Sequence, residues 1–121
     1  MLIKLLKSKI HLATITDKNL LYEGSLTLDK ELIKKANLRP FEAVWIYNIN
    51  NGIRFETYLI EGEKGEVVLN GAAARLGEIG DRIIIASYSW VSENELENFY
   101  TTLVYLDEKN QILNLKKVSS Y

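Results

Sequence analysis

Ala43-Val44-Trp45-Ile46-Tyr47-Asn48-Ile49, followed by Asn50-Asn51-Gly52 and then by Arg54-Phe55-Glu56-Thr57-Tyr58-Leu59-Ile60-Glu61, is the stretch that decides how the chain folds. Both flanks are rich in β-branched and aromatic residues, which suit a pleated surface. The Asn-Gly between them is the strongest short-range hairpin signal, because glycine takes up positive φ without strain. The first flank sets Val44 and Ile46 on one face and Trp45, Tyr47 and Ile49 on the other. A strand apolar on both sides needs cover on both. Arg82–Tyr88 repeats the pattern, with Ile83 and Ile85 opposite Ile84, Ala86 and Tyr88. One cover is the core; the other is a second subunit or the chain's own short helices.

Outward from that hairpin, most of the chain reads as short strands broken by turns. Leu2–Leu6 and Lys9–Thr16 alternate as strands, the second with Lys9, His11 and Ala13 on one face and Ile10 and Leu12 on the other. Asp17-Lys18-Asn19 reads as a turn, and Leu20–Glu23 and Ser25–Leu28 as strands on either side of Gly24. Asp29 caps a short helix over Lys30–Ala36, with Pro40 in the loop beyond. After the hairpin come a charged turn at Glu61–Glu66, a brief strand at Val67–Leu69 and a helical turn from Asn70 to Arg75. Ser92-Glu93-Asn94-Glu95 is a capping box opening a helix to Asn98. Thr102–Asp107 and Gln111–Leu115 form a last hairpin. No linker, repeat or low-complexity run interrupts residues 1–121, so a single domain is expected. Many short strands with few helices predict a mainly β fold, closed into a barrel so that no edge is left exposed.

Composition narrows the chemistry. The 121 residues carry 15 basic and 16 acidic side chains, so charge offers no footprint for nucleic acid or for a membrane surface. There is no cysteine, which removes disulfides, thiolate nucleophiles and thiolate-bound zinc. His11 is the single histidine, too few for a histidine-rich metal site. The apolar runs are short of the ~18 residues a membrane helix needs, and the N-terminus has no signal-peptide character. A cytoplasmic protein without a metal is the expectation.

Four groups of residues carry possible chemistry. Tyr22-Glu23-Gly24-Ser25 is an ordinary turn exit, or something more. In a strained turn, Ser25 Oγ can attack the Gly24 carbonyl and exchange the amide for an ester. Gly24 tolerates both the close approach and unusual φ/ψ. Elimination then leaves dehydroalanine at position 25, and hydrolysis turns that into a pyruvoyl ketone. Arg54, Glu56 and Tyr58 share one face of their strand. Arg54 offers a fork for a carboxylate and Tyr58 a phenolic proton, unless they are merely a surface cation and a rim tyrosine. Thr57 lies on the other face unless the strand bulges. Asn70-Gly71-Ala72-Ala73-Ala74 has side chains small enough for a backbone to approach a ligand, or is a plain helix start capped by Asn70. Lys9 and His11, two apart on a strand, complete the set.

In order and spacing, these pieces resemble the bacterial aspartate 1-decarboxylases: Lys9-x-His11, Tyr22-x-Gly24-Ser25, Asn51-Gly52-x-Arg54-Phe55-x-Thr57-Tyr58 and Asn70-Gly71-Ala72-Ala73-Ala74-Arg75. The resemblance runs from Lys9 to about Tyr88. The tail departs from it, because Phe99-Tyr100-Thr101-Thr102 lacks the His/Pro character of the family. What the resemblance implies is a double-ψ (double-psi) β-barrel, assembled as a homotetramer with active sites between subunits. It implies a chain that cuts itself into residues 1–24 and 25–121, with a pyruvoyl group derived from Ser25 as covalent cofactor. The implied reaction is decarboxylation of L-aspartate to β-alanine and CO2, for pantothenate and coenzyme A. Arg54 would hold a substrate carboxylate and Tyr58 would reprotonate the carbon that loses CO2. Thr57, Asn70, Gly71, Ala72 and Ala73 would line the cleavage and substrate site, with Lys9, His11 and Tyr22 as further lining. Some relatives need a maturation factor for the cut. The rival readings are an uncleaved, non-catalytic oligomeric barrel that binds a ligand, and a pyruvoyl decarboxylase for another acidic amino acid such as glutamate.

Overall fold

Nine strands share one hydrogen-bonded sheet in a computed structural model, which describes residues 1–121. In chain order they are β1 (Leu2–Thr14), β2 (Asp17–Asn19), β3 (Ser25–Asp29), β4 (Ala43–Asn48), β5 (Arg54–Gly62), β6 (Val67–Asn70), β7 (Arg82–Ser92), β8 (Tyr100–Leu106) and β9 (Ile112–Ser119). Helix α1 (Lys30–Lys35) and two 3-10 segments, Gly71–Arg75 and Glu93–Asn98, are the only helical pieces. The fold is mainly β, as the alternation predicted.

β1 is one long strand, not the two expected. The break foreseen at Lys7-Ser8 is a bulge, where the pairing with β7 shifts between Leu6 and Ser8. A second shift falls between His11 and Ala13, and there Leu12 adopts φ 68°. The extra residue reverses the alternation, so Ala13 follows Ile10 into the core and both are 0% exposed. Arg82 braces the bulge, donating from Nη2 and Nε to the Leu12 carbonyl at 2.7 and 3.2 Å.

Asp17-Lys18-Asn19 is not a turn, because it finds a partner: it pairs in parallel with Val68–Asn70 of β6. Only Ile15 and Thr16 separate it from β1, and Thr16 N–H still bonds to the Val67 carbonyl at 2.8 Å. β1 and β2 therefore act as one stave, whose first part pairs with β7 and whose last part pairs with β6. From that stave the order runs β6, β3, β5, β4, β7 and back to β1, so the chain closes the barrel on itself. β8 and β9 extend from the side of β1. Inward-facing Ile10, Leu26, Leu28, Ile46, Leu59, Ile83, Ile85 and Val104 are all 0% exposed and fill the interior.

The local signals for helices hold. Asp29 caps α1 by accepting from Glu31 N–H at 2.8 Å, and the helix ends one residue earlier than expected, at Lys35. Leu32 and Ile33 turn into the core, so α1 packs on β3 and β5 rather than over β4 and β7. The outer face of β4 and β7 is thus left to Trp45, Tyr47, Ile84, Tyr88 and Trp90, with Tyr88 and Trp90 exposed. The Asn-Gly connection is longer than a two-residue turn. β4 stops at Asn48 and β5 starts at Arg54, because the Asn48 and Asn51 side chains accept from Asn50 N–H and Ile53 N–H, both at 2.9 Å. Gly52, at φ 77°, completes the reversal.

Candidate active site around Ser25

Leu20–Glu23 is a loop and not a strand, and the topology explains why. Asn19 of β2 and Ser25 of β3 both pair with Asn70, from opposite sides of β6. The residues between them must climb over the end of β6, so they cannot join a ladder. Leu20, Leu21, Tyr22 and Glu23 are all exposed, and Tyr22 N–H bonds back to the Asn19 carbonyl at 3.3 Å.

What the loop passes over is Gly71, the residue after β6. Gly71 is buried at φ 62°, and a Cβ there would lie 2.6 Å from Gly24 Cα, 2.8 Å from Gly24 N and 3.0 Å from the Tyr22 carbonyl oxygen. Backbone thus packs on backbone at the Gly24–Ser25 bond, a contact only glycine permits. The glycine with positive φ here is Gly71; Gly24, allowed unusual φ/ψ by its missing Cβ, is exposed and has φ outside that region.

Ser25 opens β3 and is 1% exposed. Its Oγ donates to the Glu23 carbonyl at 3.0 Å and accepts from Asn70 Nδ2 at 3.1 Å. Asn70 therefore does not cap the helical turn, which has no side-chain cap. Its amide is turned to the hydroxyls, donating also to Thr27 Oγ1 at 2.8 Å. The hydroxyl proton of Ser25 is directed away from Gly24, and one lone pair faces a fixed donor. Tyr22, Thr27 and Asn70 border a cleft of about 340 Å³. Of the alanines, Ala72 is exposed, whereas Ala73 and Ala74 turn into the core. Thr27 was not singled out from the sequence, although alternation along β3 puts it on the face of Ser25.

β5 runs parallel to β3, with Leu26 beside Leu59. One residue back along that register, Ser25 comes level with Tyr58, and both point away from the buried Leu26 and Leu59. The pairing of β4 with β5 shows no shift from Tyr47↔Arg54 to Ala43↔Tyr58. Thr57 therefore stays on the inner face, beside Val44, and the conditional bulge does not occur. Tyr58 packs its ring against Phe41, centroids 6.2 Å apart, and its hydroxyl makes no hydrogen bond. Arg54 is exposed and lays its guanidinium over the Tyr47 ring, 3.8 Å from the centroid. It has no acidic partner, the ion pairs being Lys7–Glu42 and Lys18–Glu78. Tyr47 in turn shares a 2.6 Å hydroxyl contact with Tyr88. Burial, then that hydrogen bond, push the Tyr47 hydroxyl up to about 12, so it remains a neutral platform for Arg54.

Lys9 and His11 are not near Ser25. His11 pairs with Ile84, Ile84 with Tyr47, and Tyr47 with Arg54. His11 thus shares the outer face with Arg54 but sits about three strand spacings away, ~14 Å. Arg54 itself lies four residues from Tyr58, ~13 Å along the strand. One protomer therefore gathers Gly24, Ser25, Asn70, Gly71 and Tyr58 at one place, and leaves Arg54 and the Lys9–His11 pair apart from it and from each other.

His11 packs edge-on against Tyr105, centroids 5.7 Å apart, and its Nδ1 is buried without a partner. Burial first, then the charges of Lys9 and Arg82, hold its pKa below the usual 6.5. The unfolded chain takes up this proton near pH 6.5 and the folded chain only at lower pH. The stability contribution is therefore complete above ~6.5 and lost as pH falls toward the folded value. Thermal unfolding at pH 7.5 and 5.5 should show a smaller acid-induced drop in His11→Gln than in the unaltered protein. An equal drop in both would mean that His11 does not titrate as its surroundings dictate.

Comparison with known proteins gives the family. The family described as aspartate decarboxylase matches residues 1–113, further at both ends than the motifs alone suggested. The aspartate 1-decarboxylase of Sulfurihydrogenibium sp. (strain YO3AOP1) is 57% identical over 115 residues, covering 93% of this chain and 86% of the relative. That of Persephonella marina is 59% identical over 110 residues, covering 89% and 79%. That of Campylobacter hominis is 55% identical over 113 residues, covering 93% and 99%. With a family match over nearly its whole length, and the Gly24–Ser25 bond seated between Asn70 and Gly71, this chain belongs to the aspartate decarboxylase family.

Proposed function

We propose that the chain cuts itself between Gly24 and Ser25 and then decarboxylates L-aspartate to β-alanine and CO2, the step that supplies β-alanine for pantothenate. The observation that carries this reading is the buried Ser25 hydroxyl, held between the Glu23 carbonyl and the Asn70 amide with Gly24 pressed on Gly71. Ser25 Oγ adds to the Gly24 carbonyl carbon, the peptide C–N bond breaks, and the hydroxyl proton ends on the freed nitrogen. Loss of the Ser25 Cα proton then breaks the Cβ–O bond, which releases Gly24 as a carboxylate and leaves dehydroalanine. Water enters and ammonia departs, giving a ketone at the head of residues 25–121.

That pyruvoyl ketone supplies the electron sink that decarboxylation of an α-amino acid needs and that no ordinary side chain offers. Position 25 suits it, being 1% exposed and provided with an amide donor at Asn70. Tyr58, level with Ser25 and with an unengaged hydroxyl, is the group placed to return a proton to the carbon that loses CO2. Arg54, unpaired and stacked on Tyr47, grips the carboxylate that stays. Because Arg54 lies ~13 Å from that level on its own strand, the complete site draws Arg54, Lys9 and His11 from a neighbouring copy. A homotetramer of double-ψ barrels, joined through the uncovered faces of β4 and β7, is the assembly that fits.

Intact mass and product assays test the reading together. Two fragments are expected, residues 1–24 and 25–121, the larger blocked to N-terminal sequencing. Aspartate should release CO2 in preference to glutamate, since Arg54 fixes one carboxylate-to-Cα distance. A chain that stays at 13.9 kDa and releases no CO2 is a binding module instead. Tyr58→Phe should cleave normally yet turn over roughly 10²-fold more slowly. Full turnover in that variant would assign the proton to another donor.

A further inference from the structure

We infer that Thr27 is a positioning residue for the cut at Gly24–Ser25, acting through the Asn70 amide. The inference rests on the self-cleavage proposed above and adds a residue to it. Asn70 is 2% exposed and has two amide hydrogens to place. One goes to Ser25 Oγ at 3.1 Å and the other to Thr27 Oγ1 at 2.8 Å, so the shorter bond anchors the amide from the Thr27 side.

Thr27 is itself held. A Cβ on Gly62 would meet the Thr27 methyl at 2.5 Å, so the bare Gly62 backbone backs that methyl and turns Oγ1 toward Asn70. Gly62 and Thr27 sit on neighbouring strands, with β3 and β5 in parallel register. The line of contact runs from Gly62 to the Thr27 methyl, from Thr27 Oγ1 to the Asn70 amide, and from that amide to Ser25 Oγ.

The orientation matters to the chemistry. As Ser25 Oγ gives up its proton, negative charge builds on it, and on attack that charge passes to the Gly24 carbonyl oxygen. An N–H aimed at Oγ eases loss of the proton and fixes the oxygen beside the Gly24 carbon, whereas a swung or flipped amide does neither. Valine at position 27 keeps the shape but sets a methyl against a buried N–H. The unsatisfied donor favours rotation of Asn70 away from this arrangement.

The test follows the appearance of fragments 1–24 and 25–121 from freshly synthesised precursor. Thr27→Val is expected to cut roughly fivefold to tenfold more slowly than the unaltered chain. Thr27→Ser keeps the oxygen and should remain within about threefold. In an Asn70→Ala background, Thr27→Val should add no further delay, because the group it positions is gone. Gly62→Ala, which presses on the methyl without touching Asn70, should also slow the cut, and less so when combined with Thr27→Ser. This last pair keeps the test informative if Thr27→Val fails to fold. An unaltered chain that never cleaves defeats the proposed function beneath this inference. An unaltered chain that cleaves, while Thr27→Val keeps pace or lags equally with and without Asn70, overturns the role of Thr27 alone.

Discussion

Ser25→Ala should purify as one unbroken 13.9 kDa chain and release no CO2 from aspartate above background. In the proposed mechanism this residue supplies both the nucleophile for the cut and the carbon skeleton of the ketone, so no neighbouring group can replace it. The fold should survive. The change leaves two hydrogen bonds unmade, at ~1 kcal/mol each, and the Asn70 amide keeps its bond to Thr27. Intact mass, circular dichroism and a CO2 assay on one preparation would decide the matter. A cleaved Ser25→Ala chain would show that some other group opens the bond. A single unbroken chain with full activity would remove the ketone from the mechanism.

Gly71→Ala should be nearly as damaging to the cut, although position 71 carries no reactive atom. Its φ of 62° costs an L-residue ~1–2 kcal/mol, and the added methyl meets the Gly24 backbone at 2.6 Å, where no flexible side chain can yield. The loop must lift, carrying Gly24 away from Ser25 Oγ and the Asn70 donor. A displacement approaching 1 Å at a reacting centre costs about 10²-fold in rate, so the precursor should persist for many half-lives of the normal cut. The natural comparison is Gly24→Ala, where a Cβ meets nothing within 4 Å. The alanine at 24 should be far better tolerated than the alanine at 71. If the order is reversed, the close packing over Gly71 does not control the geometry of the bond.

The contrast between these two glycines also marks how far the sequence could be read. Gly24-Ser25 and Asn70-Gly71 were visible as motifs, and the strands of the central hairpin as alternation. Which glycine bears the left-handed conformation was not visible, because it depends on how the loop before Gly24 crosses the end of β6, a contact between segments far apart in the chain. Leu20–Glu23 has the apolar character of a strand but no free ladder beside it. Asp17–Asn19 has the composition of a turn but is captured by β6. In both segments long-range pairing overrides local preference. The bulge at Leu12 was equally hidden, since leucine rarely takes positive φ and its carbonyl is braced by the Arg82 side chain reaching in from β7. The caps were legible because they are local: Asp29 with Glu31, and Ser92 with Glu95. The outer-face group was legible only in part. Parity gave the shared side of Arg54 and Tyr58, but not the two strands that stand between Arg54 and His11.

The stave made of β1 and β2 bears on the mature molecule in another way. It ends at Asn19, a few residues before the proposed cut, and it contributes Ile10, Ala13 and Ile15 to the interior. With the proposed cut made, residues 1–24 would be retained by packing and ladder bonds alone, and the barrel would become a two-piece assembly. Regaining it after denaturation is then a second-order encounter between peptide and remainder, dependent on protein concentration, whereas the uncut precursor refolds as a single molecule.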